Sequence, residues 1–250
     1  MKKIYFLAAC CLAMCLSACS GDKGSENGHE WVDLGLPSGT KWATCNIGAT
    51  KPEEFGNYYA WGEVTPSDGG LWSTYKYGSD YNQLTKYNTD SRYGRNGFAD
   101  GKTVLELEDD AAHFNWGGKW RMPTQAQLDE LRALCYWVWT ESYDGSGVAG
   151  YIVYKAKSSS DKGKKIYGGN TPSSSYTLSD AHIFLPAAGF RHEGFNHAGS
   201  VGYYWSSSLG TGGWYKAWDV YFHSHYVGSD DGGYDGRVCG RSVRAVIPGE

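Results

Sequence analysis

The sequence predicts an α+β domain with two helices, short antiparallel strands and long loops. Apolar residues alternate with polar ones in several short segments, which is the pattern of half-buried strands. One segment, residues 124–138, instead has a helical period behind a capping signal. Residues 189–246 hold twelve glycines and twelve aromatic residues but one Leu, one Lys and one Glu, a composition that favours strands and turns over helix. Many short strands with few helices indicate the α+β class.

The first eighteen residues are predicted to be a signal peptide and no part of the fold. Lys2 and Lys3 precede an apolar core, residues 4–16, that is too short for a permanent transmembrane helix. The segment ends in Leu16-Ser17-Ala18-Cys19, which resembles the bacterial lipobox. That resemblance implies cleavage before Cys19 and lipidation of Cys19, with two or more acyl chains for durable anchoring. An ordinary signal peptide with a chance cysteine is the alternative.

Residues 19–28 are interpreted as the lipidated cysteine and a flexible tether, and residues 29–250 as a single domain. Ser20 does not resemble an inner-membrane retention signal, so we expect an outer-membrane lipoprotein, facing the cell surface. Without residues 1–18 the chain carries 21 basic and 27 acidic residues, a net charge of −6. This acidic balance argues against nucleic acid or anionic lipid as the main partner.

The first part of the domain is expected to contain strands and long loops. Residues 31–48 read as two strands around a Pro37-Ser38-Gly39 turn, and residues 55–62 as a short aromatic strand. Residues 63–100 have no clean period and are predicted to form long loops, which in compact domains are usually functional or specially packed.

The middle of the domain is expected to supply both helices. Residues 104–114 are helix-like, and the second helix follows Thr124, with Gln127 completing a capping box. Leu128, Leu131 and Leu134, followed by Cys135 and Val138, would then share one helical face, with Cys135 in the core.

The remaining strands are predicted at residues 150–156, 182–185, 203–207 and 242–247, and in the segment around Val220. In that segment Trp218, Val220 and Phe222 would share one face. Asp219, Tyr221 and His223 would project from the other face.

Several motifs in a fixed order carry a family resemblance over residues 30–247. They are WVDLGLPSGTKWATCNIGA, YYAWGE, DDAA, WGGKWRMPT, YYWSSS and GRSVRAV. Together they resemble bacterial surface lipoproteins that carry the paralogous domain abbreviated FISUMP. The resemblance implies a C-type lectin-like fold, shared with formylglycine-generating-enzyme-like proteins.

The last third, residues 189–246, is also similar to the variable region of proteins diversified by retroelements. In such proteins a lectin-like scaffold displays a C-terminal patch whose codons are rewritten by adenine-directed mutagenesis. Changing adenines in an Asn-type codon cannot produce Trp, Lys, Glu, Gln or Met, and residues 223–239 contain none of these. Trp214, Lys216 and Trp218 would therefore be fixed positions.

The candidate ligand-binding residues lie in this region, which is rich in the Tyr, His, Ser and Asp side chains of recognition surfaces. Unliganded loops of an inert domain are the alternative. A first set lies on the segment around Val220 or in the loop and turn expected to follow it, where Cys239 would be exposed. These residues are Asp219, Tyr221, His223, His225, Tyr226, Ser229, Asp230, Asp231, Tyr234, Asp235, Val238 and Cys239. The second set is His192, Glu193, Asn196 and His197.

No metal or cofactor is predicted. His223 and His225 could be two zinc ligands, but no third is identifiable by spacing. Residues 229–235 lack the alternating acids and terminal Glu of a calcium loop. The sugar-binding motifs of calcium-dependent lectins are also absent from the sequence.

We therefore expect a non-enzymatic, lipid-anchored surface protein whose C-terminal loops bind an unknown protein or glycan ligand. A structural or adhesive lipoprotein of fixed specificity is the alternative. A formylglycine-generating-type oxidase is a remote one, because such enzymes use paired cysteines and Cys239 has no close partner in sequence. The pairing of Cys45, Cys135 and Cys239 is left open.

Overall fold

The computed structural model describes residues 21–67, 70–194, 197–231 and 236–249. In these residues two short α-helices are combined with three small, mainly antiparallel sheets. The α+β class predicted from the sequence is therefore confirmed. Among the described residues, no helix is both long enough and apolar enough to span a bilayer.

The first sheet joins the beginning of the domain to its end. Its strands are β1 (Lys23–Glu26), β2 (His29–Asp33), β3 (Lys41–Ala43) and β11 (Val246–Ile247), in the order β1-β2-β3-β11. The predicted pair of strands around residues 37–39 corresponds to β2 and β3. The hairpin between β1 and β2 was not predicted.

Strand β1 corrects the interpretation of residues 21–28 as part of a flexible tether, whereas residues 19 and 20 lie outside the described residues. Asn27 and Gly28 have φ of 49° and 83° and form the two-residue turn between β1 and β2. The Trp31 ring covers Gly24 so closely that a Cβ there would lie 2.3 Å from it. The Trp120 indole donates to the Glu26 carbonyl at 2.9 Å, so β1 is part of the packed domain.

The next segment contains long loops, as predicted, with short 3-10 turns at Trp72–Thr74, Ser91–Tyr93 and Arg95–Gly97. The strand expected at residues 55–62 is absent. Tyr59 instead forms an isolated bridge with Arg241. The helix expected at residues 104–114 is a 3-10 turn, Leu107–Asp109, followed by α1 (Ala111–Trp116).

Helix α2 (Gln125–Leu134) begins with the predicted capping box. The Gln127 backbone N–H donates to the Thr124 hydroxyl at 3.3 Å, and the Gln127 side-chain Oε1 accepts from the Thr124 backbone N–H at 2.8 Å. The helix ends at Leu134, and β4 (Cys135–Thr140) begins directly. Val138 is therefore on a strand, which corrects the predicted helical face, whereas Cys135 is buried in the core as expected.

The second sheet has the order β6-β4-β5-β7. Its other strands are β5 (Gly150–Lys155), β6 (Lys165–Ile166) and β7 (His182–Pro186), and β6 pairs with β4 in parallel. The predicted strands at residues 150–156 and 182–185 correspond to β5 and β7. Cysteines 45 and 135 are free thiols, and burial raises the pKa of Cys135 to about 12, which keeps it protonated.

The third sheet positions the candidate site. It has the order β10-β9-β8, from β8 (Val201–Leu209), β9 (Ala217–His223) and β10 (Tyr226–Asp230). Tyr204, Val220 and Phe222 point inward and share a hydrophobic core with Leu131 of α2 and Trp137 of β4. Burial of each large apolar side chain stabilises the fold by roughly 1.5–3 kcal/mol, so packing on the inner face stabilises this sheet.

Candidate functional site

The outer side of the third sheet carries a continuous row of rings. Tyr203 lies opposite Tyr221, and their rings stack at 4.7 Å between centroids, with 29° between planes. His223 lies opposite Tyr226, with ring centroids 5.9 Å apart. We call the outward side chains of Tyr203, Tyr221, His223, Tyr226 and Asp230 the aromatic face.

Gly228 opens a shallow groove in the aromatic face. It lies opposite Tyr221, and a Cβ on it would lie 2.2 Å from the Tyr226 hydroxyl oxygen. The Tyr226 ring therefore lies across a strand position that has no side chain. The groove has a volume of 500 Å³. Tyr226 is 46% exposed, which leaves a large amphipathic side chain at the surface.

Beyond β8 the aromatic face continues through Phe190. The Phe190 ring meets the edge of Tyr203 at 5.2 Å and stacks on His197 at 5.6 Å. His197, from the second predicted set, is thereby joined to residues of the first set. Aromatic pairs of this kind are each worth about 0.5–1.5 kcal/mol beyond their buried area, so these contacts stabilise the positions of the rings.

An ion pair lies beneath the aromatic face and corrects the placement of Asp219. Asp219 shares its side of β9 with Tyr221 and His223, but it is fully buried and paired with Arg241. The Arg241 guanidinium lies 4.8 Å from the Tyr203 ring centroid and 4.0 Å from that of Trp205. Asp219 therefore supports the rings through Arg241 and is not available for ligand contact.

The predicted loop after His223 is a tight hairpin. His223 pairs with Tyr226, so Ser224 and His225 form a two-residue connection, and Tyr226, Ser229 and Asp230 lie on β10. This corrects their assignment to a loop and turn. Ser229 faces inward and its hydroxyl donates to the Asp219 carbonyl at 3.1 Å.

The two histidines of this hairpin are neighbours, with ring centroids 6.4 Å apart. His225 is exposed in the turn, and its backbone N–H donates to the Nδ1 of His223 at 3.2 Å.

Within the described ranges, a cluster of three or more potential metal ligands occurs only at Glu106, Glu108 and Asp109. The Lys86 ammonium contacts all three carboxylates at 2.5–2.9 Å. Lys76 and Lys102 contact Asp109 and Glu106 at 3.1 and 2.6 Å, so three ammonium groups balance the three carboxylates.

Other predicted residues are engaged elsewhere or buried. Asp231 accepts from the Lys216 ammonium at 3.1 Å and from the Gly212 N–H at 2.5 Å, so it holds a neighbouring loop. Val238 and Cys239 are 3% and 0% exposed, which corrects the exposed turn expected there.

His192 and Glu193 lie at a different place from the aromatic face. They line a cleft of 660 Å³ together with Val238 and several aromatic residues of the loop regions. The structure thus divides the predicted set between two surfaces. Asn196, Tyr234, Asp235 and the lipidation site Cys19 lie outside the described residues.

Sequence reasoning missed Tyr203 of the aromatic face and two residues that adjoin it, Gly228 and Phe190. Successive side chains of a strand point to opposite faces of the sheet. Because Tyr204 faces the core, this alternation would have placed Tyr203 on the outer face of β8. For Gly228 no signal exists in the sequence, because its role depends on how the Tyr226 ring folds across the strand.

In comparisons with known proteins, no family model, no curated protein and no solved structure matches the chain.

Proposed function

We propose that this chain is a lipid-anchored cell-surface protein that binds a macromolecular ligand, without catalysis, through the aromatic face. The observation that carries the proposal is the row of stacked, partly exposed rings on a sheet whose other side is buried. Tyr and His side chains provide large contact area at low entropic cost, because their rings have few rotatable bonds. A rigid strand scaffold holds them in position before binding.

A protein ligand suits this surface best. The groove along Gly228 is shallow and open, and flat surfaces rich in Tyr favour protein partners over small molecules. The central rings of Tyr221 and Tyr226 are the expected hot spots, with Asp230 and His225 at the rim.

We further propose the C-type lectin-like fold that the sequence motifs imply. The α+β architecture is compatible with it, and the motif residues are structural. Trp42, Trp120 and Trp205 are fully buried. Arg244 donates to the backbone carbonyls of Ala43 and Phe184 at 3.1 and 2.8 Å, which ties the last motif to distant segments.

Diversification by a retroelement is part of the same proposal. His223, His225 and Tyr226 have partly or fully exposed side chains, so replacing them leaves the core unchanged. Two of the positions expected to be fixed have structural partners. Trp214 stacks on Tyr93 at 3.5 Å, and Lys216 pairs with Asp231. A scaffold that separates exposed, replaceable positions from packed ones is what a varied surface requires.

Ligand capture tests the proposal. Purified wild-type protein and a Tyr221→Ala/His223→Ala/Tyr226→Ala variant are immobilised, and ligands from extracellular material of neighbouring cells are identified by mass spectrometry. We expect a saturable ligand whose affinity falls at least about 100-fold in the variant, since each hot-spot ring is worth 1 kcal/mol or more. The control is Phe114→Ala, whose side chain is 60% exposed on α1.

Equal capture by the triple variant and by the wild type would refute the assignment of the aromatic face. Capture of a glycan that depends on these three residues would support the aromatic face as the binding surface. It would contradict the proposal that the ligand is a protein. Sequencing the 3′ flank of the gene tests diversification separately. A near-copy of the coding region that differs at adenines, followed by a reverse transcriptase gene, is expected. Without such a copy, the alternative of a fixed-specificity adhesive lipoprotein stands.

Cleavage and acylation at Cys19 are tested independently of the ligand. Palmitate labelling in cells is expected for the wild type and absent for Cys19→Ser. An outer-membrane location further predicts co-fractionation with outer-membrane markers. Labelling of both proteins, or of neither, would contradict the lipobox interpretation.

A further inference from the structure

A group of lysine side chains lies at one end of the second sheet. Residues 155–165 contain five lysines and one aspartate, a local charge of +4 in a chain whose net charge is −4. This concentration of positive charge is therefore a local feature of an otherwise acidic protein. We call the five residues the lysine cluster: Lys155, Lys157, Lys162, Lys164 and Lys165.

Strand pairing brings the lysine cluster together. Lys155, at the end of β5, lies opposite Cys135 at the start of β4. On the other side of β4, the Gly163 N–H donates to the Cys135 carbonyl at 3.0 Å, and β6 begins two residues later. Neighbouring strands are about 4.8 Å apart, so about 10 Å separates the backbone of Lys155 from that of residues 162–165. The lysines thus form one patch at this end of the sheet.

Two of these lysines carry charges that no carboxylate balances. Lys162 and Lys164 are exposed, and neither forms an ion pair within the part of the chain that the structure describes. Asp161, the acid between them and Lys157, accepts from the hydroxyl groups of Ser158 and Tyr176 at 2.8 and 2.9 Å. Its carboxylate is therefore engaged by neutral groups.

Two further lysines form ion pairs that remain open to solvent. Lys155 pairs with Asp22 at 2.7 Å and Lys157 pairs with Asp180 at 2.6 Å, yet each lysine side chain is 41% exposed. Ion pairs between exposed side chains contribute little free energy, because water competes for both charges. These ammonium groups can therefore also contact an external anion.

The fifth lysine shows that positive charges are crowded here. The Lys165 ammonium donates to the carbonyls of Gly163 and Arg132 at 2.9 and 3.3 Å. Burial, and then the positive charge of Arg132, lower the pKa of Lys165. A negatively charged group at this end of the domain would offset the repulsion.

The chain enters the domain at this same end, since Asp22 is the partner of Lys155. If Cys19 carries the lipid, as proposed above, about 10 Å at most separates its Cα from that of Asp22. Electrostatic attraction extends over about 8 Å at physiological ionic strength. A lipid anchor would therefore hold the lysine cluster close to the membrane surface.

The aromatic face lies toward the other end of β4. In its hairpin, the Ser224 carbonyl accepts from the Gly168 N–H at 2.7 Å, beside the Trp139 ring. Trp139 is four residues further along β4 than Cys135, a distance of about 13 Å. Contact between the lysine cluster and a membrane would thus leave this hairpin away from the lipid.

We propose that the lysine cluster docks on the anionic phosphate headgroups of the membrane. Lysine ammonium groups are compact charges that bind phosphate without a fixed geometry. A lipid chain combined with a basic cluster also binds a membrane more durably than one chain alone. The position of the cluster beside the anchor rests on the proposed lipidation of Cys19, whereas its attraction to anionic lipid does not.

Vesicle binding by a chain without lipid tests the docking separately from the anchor. The mature chain, residues 19–250 with Cys19→Ser, is cosedimented with vesicles of phosphatidylglycerol and phosphatidylcholine in equal parts, and with vesicles of phosphatidylcholine alone. We expect binding only to the anionic vesicles, and weaker binding as the salt concentration rises. In Lys157→Gln/Lys162→Gln/Lys164→Gln the affinity should fall about 100-fold, since each lysine is worth about fivefold.

Arg92→Gln/Arg95→Gln/Lys119→Gln is the matched control, because it removes three positive charges from exposed side chains in other segments. Its affinity for the anionic vesicles should equal that of the wild type. Absence of binding to these vesicles, equal binding to both kinds of vesicle, or an equal loss in the two triple variants would each overturn the inference. Binding to heparin without binding to the anionic vesicles would assign the cluster to a soluble polyanion and also overturn it. These outcomes are independent of palmitate labelling at Cys19, because the chain used here carries no lipid.

Discussion

Three arginines near the end of the chain are buried, and each binds a different part of the fold. Arg237 donates to the Tyr87 carbonyl at 3.0 Å, and Arg241 pairs with Asp219 beneath the aromatic face. Arg244 donates to the Asn46 side chain at 2.9 Å, and to the backbone carbonyls of residues 43, 44 and 184. A guanidinium group can serve several acceptors at once because its five N–H groups point in fixed directions.

Arg244→Lys should therefore destabilise the fold although it keeps the charge. An ammonium group has three donors and no planar fork, so buried carbonyls would lose partners. We expect the free energy of unfolding to fall by about 3 kcal/mol in urea denaturation. Arg92→Lys is the control, because the Arg92 side chain is 76% exposed. Equal stability of the two variants would contradict a structural role for Arg244.

Asp109 links the long loops to the core and should make stability depend on pH. Burial alone raises the pKa of Asp109, but hydrogen bonds from Lys86, Tyr77 and Tyr87 outweigh it and lower the pKa to about 2. The unfolded chain then binds more protons than the folded chain between the ordinary pKa of 3.8 and about 2. The contribution, about 2 kcal/mol, is complete above that window and is lost as the pH falls through it.

The measurement is the free energy of unfolding between pH 5 and pH 2, for the wild type and for Asp109→Asn (about five points suffice for the slope). The wild type should lose more stability over this range than the variant, by about 2 kcal/mol. Parallel curves would show that the hydrogen bonds of Asp109 do not favour its ionised form.

At the level of elements, the N-terminus of α2 was predictable from the sequence. The contribution of its cap to the free energy of unfolding can be measured. Thr124→Ala removes the side-chain acceptor for the Gln127 N–H and should lower the free energy of unfolding by about 1 kcal/mol. Thr124→Ser keeps a hydroxyl and should be close to the wild type. A loss of equal size in both variants would mean that packing of the Thr124 methyl group, and not capping, is responsible.

Strand β10 allows binding to be separated from folding. Gly228→Ala places a Cβ against the end of the Tyr226 side chain, which is exposed and free to turn away. The melting temperature should then change little, while the proposed ligand should bind at least about tenfold more weakly. The same binding in Gly228→Ala as in the wild type would remove Tyr226 from the recognition surface.

These elements show where sequence reasoning succeeds and where it does not. Short-range chemistry was readable: the capping box of α2 and the alternation of Val220 and Phe222 on β9 are both present. The start of β4 was missed because the apolar spacing of α2 continues through Cys135 to Val138, and periodicity alone cannot locate a junction. Strand β1 was missed although Asn27-Gly28 is a common hairpin turn.

The site was only partly predictable, for a related reason. Alternation placed Asp219 on the correct side of β9, beside Tyr221 and His223. Its burial depends on Arg241, which follows in a different segment and reaches it through tertiary packing. The separation of His192 and Glu193 from the aromatic face likewise depends on loops that meet only in the folded chain.

For the whole molecule, the pairing of β1 changes how the domain would sit on a membrane. Asp22 pairs with Lys155 at 2.7 Å, so the packed domain includes residue 22. If Cys19 is lipidated as proposed, only Ser20 and Gly21 separate the anchor from that contact. The three Cα-to-Cα steps from Cys19 to Asp22 span about 10 Å at most, compared with about 30 Å for the predicted tether. The domain would then be held close to the lipid surface.

This predicts restricted rotation of the anchored protein, measured as the anisotropy decay of a fluorescent label on lipid vesicles. Insertion of a flexible Gly/Ser linker of about twenty residues after Ser20 should free the domain and speed the decay. Gly24→Val should act in the same direction, because its side chain would collide with the Trp31 ring and release β1. Gly21→Ala is the matched control, since a Cβ there meets nothing within 4 Å. A wild-type decay as fast as that of the linker variant would show that β1 does not hold the domain near its anchor.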